Sequence, residues 1–297
     1  LDHPAPRPPV LSEPGFDLYG PLSPDRPVIL SVPHAGRDYP PALLAQARVR
    51  PQQLARLEDR WVDLIAHPLI ARGYSVLVAR APRAMIDLNR HEREIDPAMV
   101  TGIPRDIALH SSTKLRGGLG LIPRRLPGAP ELWRGPLSWV EVQRRVEGLH
   151  RPYHAMLARL MGAAREAHGH AILLDLHSMP PLPPPAAGLP APGVVLGDRF
   201  GRSAATRLVT LAADVAAGHD ILAAQNHPYS GDHLIDRHGR PERGMHAIQL
   251  EIDRALYLDA TLDRPGPGMA RIRALVAAMV EALAVEMPGA HYALAAE

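Results

Sequence analysis

Short apolar runs rich in β-branched residues alternate along the chain with stretches of helical periodicity. Residues 27–32 (PVILSV) form one such run, stopped by Pro33-His34-Ala35-Gly36, and read as a buried strand feeding a loop. From 51 to 72 the apolar residues Leu54, Leu57, Trp61, Leu64 and Ile65 follow helical spacing, with Gly73 as the stop. Residues 74–79 predict a second strand. A long amphipathic pattern over 136–168, with a break expected at Pro152, predicts helix as far as Gly169, and 171–176 (AILLDL) is the clearest buried strand. Further strands are expected at 193–196, 219–223 and 245–252, and helices at 203–217 and 269–287. This order implies an α/β fold: a mixed, largely parallel central sheet with helices on both faces.

Three segments stand outside the pattern. Residues 1–26 read as a Pro-rich lead, while 96–135 and 179–192, the latter carrying PPLPPPAAGLPAP, read as loop excursions next to candidate site residues. No internal repeat or linker divides the chain, so residues 1–297 are expected to form one domain. A composition of 46% hydrophobic and 22% charged residues fits a globular protein and argues against disorder or a coiled-coil rod. The absence of cysteine removes thiol nucleophiles, disulfides and cysteine zinc sites, leaving 16 histidines and 31 carboxylates as metal ligands. No apolar run approaches 18 residues and the opening lacks a signal-peptide pattern, so a cytoplasmic protein with no membrane contact is expected. The net charge is only +2, and of 33 basic residues only Lys114 is lysine. The arginines alternate with acids along helices instead of clustering with aromatics, so nucleic-acid binding is not expected either.

Candidate chemistry gathers at strand ends. His34 follows one predicted strand and His177 another, and open α/β sheets bind ligands at the carboxyl ends of their strands. Each histidine alone reads as a loop or core residue satisfied by hydrogen bonds; the pair suggests a shared site. Asp175 lies on the same strand face as His177, as a holder of an imidazole or as a loop cap. A catalytic zinc site takes three protein ligands and an open position, commonly two histidines and a carboxylate. Asp59 and Asp63 share a face of the predicted 51–72 helix, which also has an ordinary core side, so either is a ligand or a solvated residue. Glu251 sits inside an apolar strand, where a carboxylate needs a polar site or a partner: a general base beside a metal-activated water, or half of a salt bridge. Arg90, after the apolar piece 85–88, offers a fork for a carboxylate or is a surface arginine. There is no phosphate loop or GxSxG elbow, and 91–95 (HEREI) lacks the second histidine of HExxH.

The ordered motifs SVPHAGRDYP (31–40), DRWVD (59–63), RAMIDLNR (83–90), RPYH (151–154), DLHSMP (175–180), LGD (196–198), NHPYSG (226–231) and GMHAIQLEID (244–253) resemble the N-formylglutamate amidohydrolase family across nearly all of residues 28–260. The resemblance implies a zinc-dependent amide hydrolase whose fold is similar to the zinc carboxypeptidases and aspartoacylases. It implies one Zn²⁺ per chain on His34 and His177, Glu251 as catalytic carboxylate, and Arg83 with Asn89 and Arg90 facing the carboxylates of a small N-acyl amino acid. The best-matching reaction is N-formyl-L-glutamate and water giving L-glutamate and formate; deacylation of another N-acyl or N-formimino amino acid, or a silent ligand-binding member, are the alternatives. The related carboxypeptidases use an HxxE motif, whereas Arg37 stands three residues after His34 and cannot bind metal. Asp59 is therefore expected as third ligand, with Asp63 as the alternative. The charged run His91-Glu92-Arg93-Glu94 also departs from the family's usual residues after DLNR.

Overall fold

A computed structural model describes residues 8–126, 130–185, 188 and 190–286. Strands β1 (Leu11–Glu13), β2 (Phe16–Tyr19), β3 (Val28–Val32) and β4 (Ser75–Ala79) come first, followed by a small parallel pair, β5 (Val100–Thr101) and β6 (Leu137–Ser138). Then come β7 (Ala171–Met179), β8 (Val194–Gly197), β9 (Ala223–Gln225) and β10 (Met245–Asp253). Eight of these build one sheet in the order β1-β2-β4-β3-β7-β10-β8-β9. Its four central strands, β4, β3, β7 and β10, run parallel, while β2 and β8 flank them in the antiparallel sense. The expected mixed, largely parallel α/β sheet is therefore present.

Alternation along these strands sorts the core into two layers. Val28, Leu30 and Val32 of β3, Ile172, Leu174 and Leu176 of β7, and Ile248, Leu250 and Ile252 of β10 share one cluster with helices α3 (Val62–Ala71), α7 (Thr206–Gly218) and α9 (Met269–Val285). The opposite residues, among them Ile29, Leu173 and Ala247, pack under α5 (Trp139–Arg145), α6 (Arg151–His168) and α8 (His233–His238). Helix α6 buries Tyr153, Leu157, Leu160, Met161 and Ala164 at helical spacing and ends where Gly169 turns left-handed at φ 77°. Short helices α1 (Pro41–Gln46), α2 (Pro51–Leu54) and α4 (Thr113–Arg116) lie in the connections.

Several expectations need correction. The 51–72 pattern is not one helix: α2 passes into a 3₁₀ turn, Ala55–Leu57, the chain straightens at Glu58, and α3 starts only after Trp61, whose φ of 61° is left-handed. The helix over 136–168 does not break at Pro152. A π turn, Val146–His150, joins α5 to α6 directly and absorbs the missing proline N–H. The expected strand at 219–223 is displaced to β9, because α7 runs on to Gly218 and Asp220 adopts φ 56°. The Pro-rich lead contributes β1 and β2, which bury Phe16 and Leu18, and the 96–135 excursion holds β5 and α4. Helix α9 ends at Val285, and Met287 lies outside the described residues, as do 186, 187 and 189 of the 179–192 segment.

Candidate metal centre and active site

At the carboxyl ends of β3, β7 and β10 three ligand-type side chains converge. His34 stands two residues beyond β3, in a loop pressed so closely to the β4 exit that a Cβ on Gly36 would lie 2.0 Å from the Ala81 carbonyl oxygen. Asp59 sits in the interruption before α3, its N–H donating to the His34 carbonyl at 2.9 Å. His177 lies within β7. The Nδ1 atoms of His34 and His177 are 3.1 Å apart, and Asp59 Oδ2 is 3.0 Å from His177 Nδ1 and 3.4 Å from His34 Nδ1. All three residues are buried.

The far side of each imidazole fixes what the near side offers. His34 Nε2 donates to Asp87 Oδ1 at 2.7 Å, and His177 Nε2 donates to Asp175 Oδ2 at 2.7 Å. With the protons held there by carboxylates, both Nδ1 lone pairs face each other and a third carboxylate, an arrangement that repels itself unless a cation lies between. The residues therefore fit a metal ion. Without one, a proton takes its place: burial opposes charge on His177, but Asp175 and Asp59 outweigh it and push the imidazole well above its usual range. Burial likewise opposes ionisation of Asp59, yet hydrogen bonds from His177 and His34 hold its carboxyl well below the usual range. Asp87 is also held low, against its burial, by Arg83, His34 and Arg90.

Parallel pairing of β7 with β10 sets Gln249 opposite Asp175 and Glu251 opposite His177, so both β10 side chains emerge on the face that carries the imidazole. Gln249 Nε2 donates to Glu251 Oε1 at 2.9 Å, and burial pushes the Glu251 carboxyl up. Glu251, the three converging residues and Arg83 line one cavity of about 340 Å³. A larger depression of about 560 Å³, beside Trp133 and Arg144, contains none of them.

The expected substrate contacts divide. Arg83 lines the cavity half-buried, with Nε on Asp87 Oδ2 at 2.8 Å and no hydrogen bond from either Nη among the described residues. Arg90 also reaches the cavity wall, with part of its fork engaged within the protein: Nε donates to the Leu119 carbonyl, Nη1 to the Asn89 carbonyl, and Asp232 lies 2.6 Å from Nη1, while Nη2 makes no hydrogen bond among the described residues. Asn89 is similarly tied, with Nδ2 on Gln249 Oε1 at 3.1 Å and Oδ1 accepting from the Leu234 N–H at 2.7 Å. Asp63, the alternative ligand, is taken up by a bidentate pair with Arg37 at 2.9 and 2.7 Å, so the residue that replaces the HxxE glutamate occupies it.

Sequence reasoning passed over Asp87, Gln249 and Arg254. Asp87 carried the same signal as Glu251, a lone acid in an apolar piece. Arg254 donates from Nη2 to Asp59 Oδ1 at 3.1 Å and to the Glu58 carbonyl at 2.8 Å, holding the helix interruption in place. Lys114 of α4 also lines the cavity, with its ammonium 5.6 Å from the Tyr229 ring centre.

Over residues 26–258 the sequence matches the N-formylglutamate amidohydrolase family. The chain belongs to that family. The N-formylglutamate deformylase of Pseudomonas putida is 30% identical over 248 residues, covering 79% of this chain and 83% of its own. That of Pseudomonas aeruginosa is 27% identical over 244 residues, covering 78% and 82%. The crystal structure of N-formylglutamate amidohydrolase from Ralstonia eutropha JMP134 shares the fold, with a TM-score of 0.82 and 32% identity over 91% of this chain and 97% of that one. Members of the N-formylglutamate amidohydrolase family are hydrolases of a linear amide, and the cavity at the strand ends is where this member gathers His34, Asp59, His177 and Glu251.

Proposed function

We propose that the chain hydrolyses N-formyl-L-glutamate to L-glutamate and formate, using one Zn²⁺ held by His34, His177 and Asp59. The observation that carries the reading is the convergence of two proton-free Nδ1 atoms and one carboxylate oxygen within 3.0 to 3.4 Å, beside a buried glutamate. Two imidazoles and a carboxylate suit zinc better than the oxygen-seeking Mg²⁺ or Ca²⁺. When bound, such an ion supplies Lewis-acid polarisation of the formyl carbonyl and acidifies the attacking water.

The chain's own residues do the rest. Glu251, raised by burial and steadied by Gln249, takes the proton of the attacking water as its oxygen adds to the formyl carbon. The same carboxyl returns that proton to the amine nitrogen as the C–N bond breaks, so no covalent enzyme intermediate is needed. Arg83, with both Nη nitrogens uncommitted, receives one substrate carboxylate. Lys114 is without an ion pair among the described residues and receives the other from across the cavity. Arg90 and Asn89 act one step back, holding Asp232, Gln249 and the start of α8.

The test is release of free amine from a panel of N-formyl, N-acetyl and N-formimino amino acids by zinc-reconstituted protein and by its chelator-stripped form. Turnover of N-formyl-L-glutamate that is lost on stripping and restored by Zn²⁺ is the expected result. Turnover of another acyl group alone reassigns the substrate, and zinc-loaded protein that binds the panel without releasing amine is a silent binding member.

A further inference from the structure

A second group of histidines lies outside the catalytic cavity. His150 closes the π turn, His154 follows one turn on in α6, and His233 opens α8; one ring nitrogen of each lies within 4.8 Å of the other two. His150 Nε2 donates to the Arg90 carbonyl at 2.8 Å and His154 Nε2 donates to the Leu88 carbonyl at 2.9 Å. Carbonyls only accept, so both rings carry their proton on Nε2 and turn an Nδ1 lone pair inward. His238 Nε2 donates to that of His154 at 2.9 Å. His150 Nδ1 and His233 Nε2 are buried with no hydrogen-bond partner.

His150 Nδ1 is a buried acceptor without a donor and His233 Nε2 a buried ring nitrogen without a partner, a cost that a bound ion would remove. Imidazoles whose outer nitrogen is fixed by a carbonyl are also how proteins orient metal-binding histidines. We propose that His150, His154 and His233 form a second metal centre, an all-nitrogen site for a borderline divalent ion such as Zn²⁺, Ni²⁺ or Cu²⁺. To serve as a ligand His154 exchanges its bond from His238 for the ion. The half-buried His91 ring, 5.2 Å from that of His233, and the exposed His110 ring, 5.1 Å from His91, continue the imidazoles to the surface as an entry route. Arg237 opposes a cation here and Glu92 favours one. With no carboxylate in the donor set, the ion is held more weakly than at His34, Asp59 and His177.

The two centres share one segment of chain. Asp87 bonds His34 and Asn89 Nδ2 lies 3.3 Å from His177 Nε2, while the Leu88 and Arg90 carbonyls hold His154 and His150. An ion at the second centre thus pins to α6 the segment that orients the ligands of the first, which makes the site structural rather than catalytic.

The experiment is metal titration of tag-free, chelator-stripped, full-length protein with Zn²⁺ and with Co²⁺, read by calorimetry, bound-metal analysis and the visible spectrum of Co²⁺. The parent is expected to bind two equivalents, a tighter and a weaker. His34→Ala should keep the weaker one, and the double variant His150→Gln with His233→Gln should keep the tighter one, with the weaker dissociation constant raised at least tenfold. Circular dichroism checks that each variant is folded, and the single variant His233→Gln, at a half-buried position, stands in if the double variant is not. A parent that binds one equivalent only, lost in His34→Ala, overturns the proposal and leaves a water molecule as the donor to His150 and His233. A second equivalent that survives in the histidine variants overturns it as well. Failure of the catalytic reading would instead show in His34→Ala retaining the tighter equivalent, so the two outcomes are separable.

Discussion

At the scale of single residues, the chemistry depends on which atom of each side chain is left free. The His34 and His177 imidazoles both surrender Nε2 to a buried carboxylate, so that Nδ1 is the only nitrogen offered to a metal ion. Glu251 is arranged oppositely. One oxygen accepts from Gln249, burial raises its carboxyl, and no arginine or lysine forms an ion pair with it among the described residues. An acid–base group needs that freedom, whereas a structural carboxylate such as Asp63 is clamped on both oxygens. Glu251→Gln keeps the shape and the neighbourhood of Gln249 while removing the exchangeable proton. Its kcat should fall by about 10²–10⁴-fold with zinc content equal to that of the parent. Near-parental kcat at full zinc occupancy would remove Glu251 from the reaction.

At the scale of elements, the site is made where regular structure stops. β3, β7 and β10 were legible because each is an apolar run of strand length, so His34 and His177 could be placed at strand ends from order alone and Glu251 marked as a carboxylate inside an apolar strand. The interruption at Glu58-Asp59-Arg60-Trp61 was not legible. The apolar spacing of Leu54, Leu57, Trp61 and Leu64 runs straight across it, and what opens the chain is tertiary: Asp59 N–H bonds the His34 carbonyl, and Arg254, some two hundred residues away in sequence, bonds Glu58 and Asp59. Asp87 carried the signal of a lone acid in an apolar piece, but 82–90 is a series of turns with no period to say which way its side chain faces. The interruption supplies the test. Arg254→Met removes the group that holds Asp59 Oδ1 without touching a ligand, so zinc affinity should drop by about 10–100-fold, as for other residues that orient ligands. Competition with a chromophoric chelator measures it, and an affinity equal to the parent's would show that the loop holds Asp59 unaided.

At the scale of the whole molecule, a parallel sheet gathers functional side chains at the carboxyl ends of its strands and leaves the two helical layers to supply stability. In the layer formed by α5, α6 and α8 that stability depends on neutral histidines. Burial pushes His150 down to about 4 and His238 down to about 3, and it holds His154 well below its usual range. His233 of the same layer and His246 on the opposite face of the sheet, less deeply placed, are lowered to about 3 and about 4. In the unfolded chain all of these take a proton near pH 6.5. Between that pH and the folded values of about 4 and 3 the unfolded state binds more protons than the folded one, so stability is full above about 6.5 and is lost as the pH falls. One unit below the unfolded value each fully neutral histidine costs about 1.4 kcal/mol, or roughly 4 kcal/mol for the three deepest, a large share of the usual 5–15 kcal/mol of a domain. His177, raised in the metal-free protein, and the Glu58, Glu94 and Glu251 carboxyls, raised by burial, work in the other sense and are outnumbered by the lowered histidines. In a chelating buffer the Tm should therefore fall clearly between pH 7.5 and 5.5. His238→Gln retains a donor toward His154 Nδ1 and cannot titrate, so its Tm should fall by about a fifth less over the same interval, one of five such histidines being removed. A Tm that is flat from 7.5 to 5.5 in the parent, or a slope unchanged in His238→Gln, would show that the buried histidines are not what makes this layer sensitive to acid.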